Sequence, residues 1–235
     1  MKVAPPIMPT RTLTPPPKAA APARLQSRAY SELRRLIASG EFPAGMFLSE
    51  RQLAAQLEMS KTPVHVALER LESEGFVTIS AQQGIVVRGL TVEDIVDHYE
   101  LREAIESYAA GRLAGRLNDA QRRELDKSLT QQQKALKSGD FLQMIDLDAR
   151  FHLLLSTFLG NRTILATMEQ LRDKIHQVIV RVTSLNAHRL GESVEEHRGI
   201  ASAILDGDGA LAAQRVIAHL DAGKRNVLNP SRLPA

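Results

Sequence analysis

Along most of this chain apolar residues recur three and four positions apart, the spacing of helices that bury one face. Over 24–39 the stripe is Leu25, Ala29, Leu33, Leu36 and Ile37, with Gly40 just past its end. Pro43 and Gly45 then mark a loop over 41–47. Two short helices follow. Leu53, Ala54 and Leu57 give the first its inner face, and Ser49 with Gln52 three residues on has capping-box spacing. Ser60 is the N-cap candidate of the second, and Pro63 falls in its first turn, where a missing N–H does no harm. Val64, Ala67, Leu68 and Leu71 form its stripe, and Gly75 ends it. Then the period changes: 76–79 and 85–87 read as two β-strands joined by a turn closing on Gly84. Two short helices, a tight connection and a hairpin are the parts of a winged helix-turn-helix.

From Thr91 onward strand signals vanish. Six helical segments are predicted, at about 91–117, 119–138, 140–159, 161–189, 192–206 and 208–227. Thr91 with Asp94 and Ser193 with Glu196 have capping-box spacing, and Asn118, Asp140 and Asn161 are simpler N-caps. Gly139, Gly160, Gly191 and Gly207 punctuate the joins, and joins this short imply antiparallel neighbours. The predicted fold is therefore mainly α: a winged helix-turn-helix over 24–90, then an antiparallel six-helix bundle over 91–235.

Residues 1–23 differ. They hold Pro5, Pro6, Pro9, Pro15, Pro16, Pro17 and Pro22, with Ala and Thr between them. Such a segment cannot bury enough apolar surface to order itself and reads as a disordered arm. Lys2, Arg11 and Lys18, with Arg24 just beyond, make it basic, so weak phosphate contacts are a secondary reading beside a plain flexible tail.

In the second short helix the inner face takes Val64, Leu68 and Leu71, which leaves Lys61, Thr62 and His65 facing outward on its first two turns. Those are the turns that meet base edges in the major groove, and the helix N-terminus itself favours phosphate. A helical subdomain that binds nothing is the alternative; a plain packing module, however, needs no wing.

Composition narrows the classes. A net charge of +3 suits a DNA-binding protein without establishing one. With no cysteine there are no disulfides, thiolate metal sites or cysteine nucleophiles. Tryptophan is absent and aromatics are 4% of the chain, too few for a single-strand stacking platform. No run of about 18 apolar residues and no apolar segment behind Lys2 argue against a membrane span or signal peptide, so a cytoplasmic protein is expected.

The bundle carries a second constellation. Phe141, Ile145, Leu155 and Leu159 form the stripe of its third helix, and Asp148 and His152 fall in the gaps of that stripe, four residues apart on one face. His197 shares a stripe with Val194, Ala201, Ile204 and Leu205, and His219 with Val216 and Leu220. One carboxylate and three imidazoles from three helices thus point inward. An unpaired buried aspartate is costly, and a divalent metal would offset that cost and use all four groups. Three separately satisfied core histidines and a salt-bridged aspartate are the alternative. Nitrogen and oxygen ligands suit zinc, nickel, manganese or iron, zinc being taken first. His98, His176 and His188 lack a partner at ligand spacing and read as solvated or capping residues. Arg102 shares an inner stripe with Tyr99 and Ile105. It could clamp a carboxylate bidentately, or equally form an internal salt bridge with Glu106 one turn on.

Leu48-Ser49-Glu50-Arg51, Ser60, Pro63-Val64, Ala67-Leu68, Leu71, Glu74-Gly75 and Gly84 together resemble the GntR family of bacterial regulators. Lys61 and His65 stand where arginines are common in that family, and Val66 replaces a usual acid, which bears on the operator rather than on DNA binding itself. The resemblance implies that Arg51, Ser60, Lys61, Thr62, His65, Gln83 and Gly84 contact DNA. It extends through Asp148-x-x-x-His152, Glu196-His197, 203–208 and His219, which look like the ligand-sensing FCD domain of the FadR-like branch, its metal-binding members in particular; six bundle helices suggest the VanR-like subgroup. What this implies is a homodimeric transcriptional repressor, not an enzyme. It would read an inverted repeat in double-stranded DNA and respond to a small organic or sugar acid bound at metal and Arg102. Two rivals from other classes are a metal-dependent hydrolase or lyase, with Glu106 the one nameable base, and a sensor of the metal itself.

Overall fold

The computed structural model describes residues 20–80, 84–183 and 187–228. Most of the proline-rich arm, and Gln83 at the wing tip, lie outside the described residues. Residues 20–23, assigned to the arm above, are helical: α1 (Ala20–Ala38) starts four residues earlier than the stripe suggests. Alanine is the strongest helix former, and Pro22 falls in the first turn, where its missing N–H is harmless.

The rest of the first unit is β1 (Phe47–Leu48), α2 (Glu50–Gln56), α3 (Lys61–Ser73), β2 (Val77–Ser80) and β3 (Gly84–Val87). The strands form one antiparallel sheet in the order β1-β3-β2. β1, which lies at the end of the predicted loop, pairs Phe47 with Val86 and Leu48 with Ile85; two residues are too few to show a period in sequence. Leu33, Leu36 and Ile37 of α1 pack in one core with Leu53, Val64, Leu68, Leu71, Val77 and Val87. Leu25, from the same α1 stripe, is exposed. Ser49 and Ser60 occupy the N-cap positions of α2 and α3, yet neither side chain makes a cap bond, so the Ser49–Gln52 capping box does not form. The turn between α2 and α3 is made by Glu58 at φ 54°, with the Met59 N–H donating to the Ala54 carbonyl at 2.9 Å. Gly75 ends α3 at φ 79°, in the left-handed region glycine enters freely.

The second unit consists of α4 (Val92–Leu113), α5 (Asp119–Ser138), α6 (Phe141–Leu159), α7 (Arg162–Thr183), α8 (Ala187–Asp206) and α9 (Gly209–Leu228). Thr91 and Asp94 form the expected capping box. Asn118 forms one with Gln121, Asp140 accepts from the Gln143 N–H, and Asn161 accepts from the N–H groups of Thr163 and Ile164. The expected join at Gly191 does not exist. α8 begins at Ala187 and runs through Gly191, and Ser193 caps nothing; its hydroxyl donates to Asp148 Oδ1 at 2.6 Å. An interior glycine costs only about 1 kcal/mol, and burying Leu190 and Val194 on either side of it outweighs that. Phe141 and Leu205, counted in the apolar stripes above, are exposed. α4 and α9 pack most closely: a Cβ on Gly209 would stand 2.9 Å from the Gly111 carbonyl, so only glycine permits that crossing.

Candidate metal centre and DNA-reading face

On α3, Lys61, Thr62 and His65 are exposed while Pro63, Val64, Ala67 and Leu68 are buried, as helical spacing from the Ser60 N-cap requires. Ser60 and Arg51 are also exposed, and Gly84 opens β3 at the turn end of the wing with φ 78°. His65 stands between two carboxylates, its Nδ1 3.3 Å from Glu50 Oε2 and its Nε2 3.4 Å from Glu69 Oε1.

The bundle interior gathers Asp148 and His152 of α6, His197 of α8 and His219 of α9, with one ligand atom from each lying within 4.8 Å of the others. The Nε2 atoms of the imidazoles converge: 3.3 Å from His197 to His152, 3.3 Å from His197 to His219 and 3.0 Å from His219 to His152. Asp148 Oδ2 lies 3.8 Å from His152 Nε2, and Oδ1 lies 3.6 Å from His197 Nε2.

Each imidazole is anchored through its other nitrogen. His152 Nδ1 donates to Glu106 Oε2 at 2.5 Å, His197 Nδ1 to Gln132 Oε1 at 2.8 Å, and His219 Nδ1 to Glu196 Oε2 at 2.6 Å. An acceptor at each Nδ1 favours, for a neutral ring, the tautomer that carries its proton there and turns a bare Nε2 lone pair toward the other two rings. Three converging lone pairs in a buried site repel unless a cation lies among them. The spacing fits one: nitrogen ligands about 2.0–2.1 Å from a single first-row ion stand about 2.8–3.4 Å apart in octahedral or tetrahedral arrangements. Phe151 stacks on the His197 ring at 4.0 Å between centroids and fixes its plane.

The supporting carboxylates are themselves held. Burial raises the Glu106 carboxyl, but Arg102 and then His152 outweigh it and hold it at about 2. Arg102 Nε donates to Glu106 Oε1 at 2.7 Å, both side chains being buried. Burial likewise raises Glu196, and hydrogen bonds from His219 and Arg189 bring it to about 2. Arg189 grips Glu196 with both terminal nitrogens, at 2.8 and 2.6 Å. Burial foremost, with His219 and His152 adding to it, drives His197 well below the usual imidazole value; burial also lowers His219. Ligands that resist protonation remain available to a cation.

Family models match both units. Residues 25–87 match the bacterial regulatory proteins of the gntR family, and residues 97–222 match the FCD domain. The chain belongs to the GntR family. It is 33% identical over 184 residues to the Nta operon transcriptional regulator of Aminobacter aminovorans, covering 77% of this chain and 84% of that protein. It is 28% identical over 192 residues to the Escherichia coli transcriptional repressor RspR, covering 81% and 83%. The crystal structure of a putative GntR transcriptional regulator from a Rhodococcus species shares the fold, with a TM-score of 0.77 at 24% identity over 89% of this chain and all of that one. The protein is a DNA-binding transcriptional regulator, with a GntR winged helix-turn-helix followed by an FCD bundle.

Two cavity lobes of this GntR protein adjoin the cluster, reaching Asp148, His152 and, in one of them, His219. The larger is lined by Tyr99, Arg102, Asp148, Arg189, Ser193, His219 and Asn226 among others. The smaller lies between α6 and α7. Arg102, Ile145, Asp148 and His152 belong to both. Arg102 forms the internal salt bridge with Glu106 and also lines both lobes. Gln132, Arg189 and Ser193 escaped sequence reasoning as site residues. Gln132 sits between Gln131 and Gln133, and nothing in three consecutive glutamines says which one is buried. Arg189 and Ser193 were hidden by the misplaced helix join. Among the other histidines, His188 is exposed, His98 Nδ1 bonds the Asp94 carbonyl, and His176 Nδ1 donates to the Ala38 carbonyl at 3.2 Å. No helix among the described residues is long and apolar enough to cross a membrane.

Proposed function

We propose that this GntR regulator is a cytoplasmic homodimeric repressor whose hold on an inverted-repeat operator is set by a small carboxylic acid bound at a divalent ion in the bundle. The observation that carries this reading is the convergence of three anchored imidazoles on Asp148. Asp148, His152, His197 and His219 would hold the ion, zinc in the first instance. The ion supplies a Lewis-acidic point for a carboxylate, and Arg102 on the cavity wall supplies a guanidinium. Arg51, Ser60, Lys61, Thr62, His65, Gln83 and Gly84 are the assigned DNA contacts, with α3 entering the major groove and the wing following the backbone. The protomers' reading helices then lie about one turn of DNA apart.

An enzyme needs a base that is free to act. Both oxygens of Glu106 are engaged, one by Arg102 and one by His152, and Glu196 is engaged by Arg189 and His219. That favours a binding site over a hydrolytic one. Elemental analysis of protein refolded with zinc, nickel or manganese tests the site. One equivalent of ion is expected in wild type and none in His197→Ala, with the DNA-reading face intact. No ion in wild type overturns the reading.

A further inference from the structure

His176 serves two parts of the molecule at once. On one side it lines the smaller lobe with Ile145, Ala149, Leu153, Met168 and Arg172. On the other its Nδ1–H reaches the Ala38 carbonyl at the end of α1. The last carbonyls of a helix need partners from outside it. In α1, the Arg35 carbonyl accepts from the Ser39 N–H, Leu36 from Phe42 and Ile37 from Gly40. Ala38 is served by His176, so the end of α1 is completed from the bundle. Two turns earlier on α7, the Glu169 carbonyl accepts from Arg34 Nη2 at 2.9 Å. α7 is thus both a wall of the lobe and the helix that fastens α1, and α1 shares a core with the reading helix α3.

Ile145, Ala149, Leu153 and Met168 make the apolar part of the lobe's wall, Arg172 and His176 join it from α7, and Arg102, Asp148 and His152 lie at the end shared with the larger lobe. A molecule with its head at that end has an apolar channel beside it. We infer that the lobe between α6 and α7 takes the apolar end of a monocarboxylic acid, and that His176 passes its filling to the DNA-binding unit through Ala38. The inference rests on the metal and carboxylate reading above. It adds the class of acid, one with an aliphatic or aromatic tail, and the contact by which binding reaches α1. A tail pushing between Leu153 and Met168 displaces α7 where His176 leaves it. The Ala38 carbonyl then loses its partner, and the last turn of α1 loosens beneath α3.

Unbranched monocarboxylates from acetate to octanoate, titrated calorimetrically into the metal-loaded full-length protein, test the subsite. Each added methylene should tighten binding about fourfold until the lobe is full. Ala149→Leu, which fills the lobe, should bind acetate as wild type does and lose the gain with chain length. Leu153→Ala, which enlarges it, should carry the gain to longer acids. Acetate binding with no chain-length gain in wild type overturns the subsite alone; no binding of any acid by metal-loaded protein overturns the carboxylate reading beneath it. Amide exchange tests the contact. Octanoate should speed exchange at Ser39 and Gly40 in wild type, whereas in His176→Ala exchange there should already be fast and indifferent to octanoate. A normal octanoate response in His176→Ala overturns the coupling.

Discussion

Glu106 stands directly behind His152, its Oε2 2.5 Å from Nδ1, while its other oxygen accepts from Arg102. The carboxylate fixes which imidazole nitrogen is bare and makes that nitrogen a better donor to a cation. Glu106→Gln keeps the shape, removes the charge and leaves Arg102 buried without its counter-ion. Metal affinity should fall about 10- to 100-fold, as measured by competition with a chelator. Wild-type affinity in the variant would show that Glu106 serves Arg102 only.

Removing the ion should lower the melting temperature. Among inward-facing groups that share one cation, the stabilisation follows free ion over dissociation constant, and an ion held at 100 times that constant contributes about 2.7 kcal/mol. Calorimetric scans of loaded and chelator-stripped protein check this. Superimposable scans, with loading verified, would mean that the four side chains satisfy one another without a cation.

Lys61 is exposed on the first turn of α3. Lys61→Ala should weaken specific operator binding by about 1–3 kcal/mol if the ammonium meets a base edge. If it meets a phosphate, binding should weaken evenly across sequences and the salt slope should fall by about one. Titrations at several salt concentrations decide between these. Unchanged binding at matched salt would remove Lys61 from the interface.

The first bundle helix is tied to its entry by a reciprocal pair: the Thr91 N–H donates to Asp94 Oδ2 at 2.9 Å, and the Asp94 N–H donates to Thr91 Oγ at 3.1 Å. Thr91→Ala should cost about 1 kcal/mol of stability. The Thr91 backbone bond holds the Asp94 carboxyl below its ordinary value. Its contribution is therefore full above the unfolded-state value of about 3.9 and is lost as pH falls through the lower folded-state value. The deficit of Asp94→Asn, which removes that charge, followed by denaturant unfolding, should narrow over that acid range. A deficit independent of pH would assign the loss to packing.

Local chemistry sufficed for much of this protein. The stripe Val64, Ala67, Leu68 and Leu71, the change of period at the hairpin and the caps at Thr91, Asn118, Asp140 and Asn161 act over three or four residues, so the chain states them directly. Inward-facing histidines could be suspected for the same reason: one helical stripe contains both them and the core. Gly191 marks the limit of such reasoning. Glycine there looks like a stop, yet the burial of Leu190 and Val194 carries α8 through it. Which polar residues support the candidate ligands was decided only when helices far apart in sequence packed together. Gln132 meets His197 across 65 residues, Glu106 meets His152 across 46, and Ser193 meets Asp148 across 45. The contact of His176 with Ala38 spans 138 residues and joins two units whose patterns are independent of each other. A hydrogen bond needs its partners within about 3 Å, and only tertiary packing sets that distance for residues so far apart along the chain.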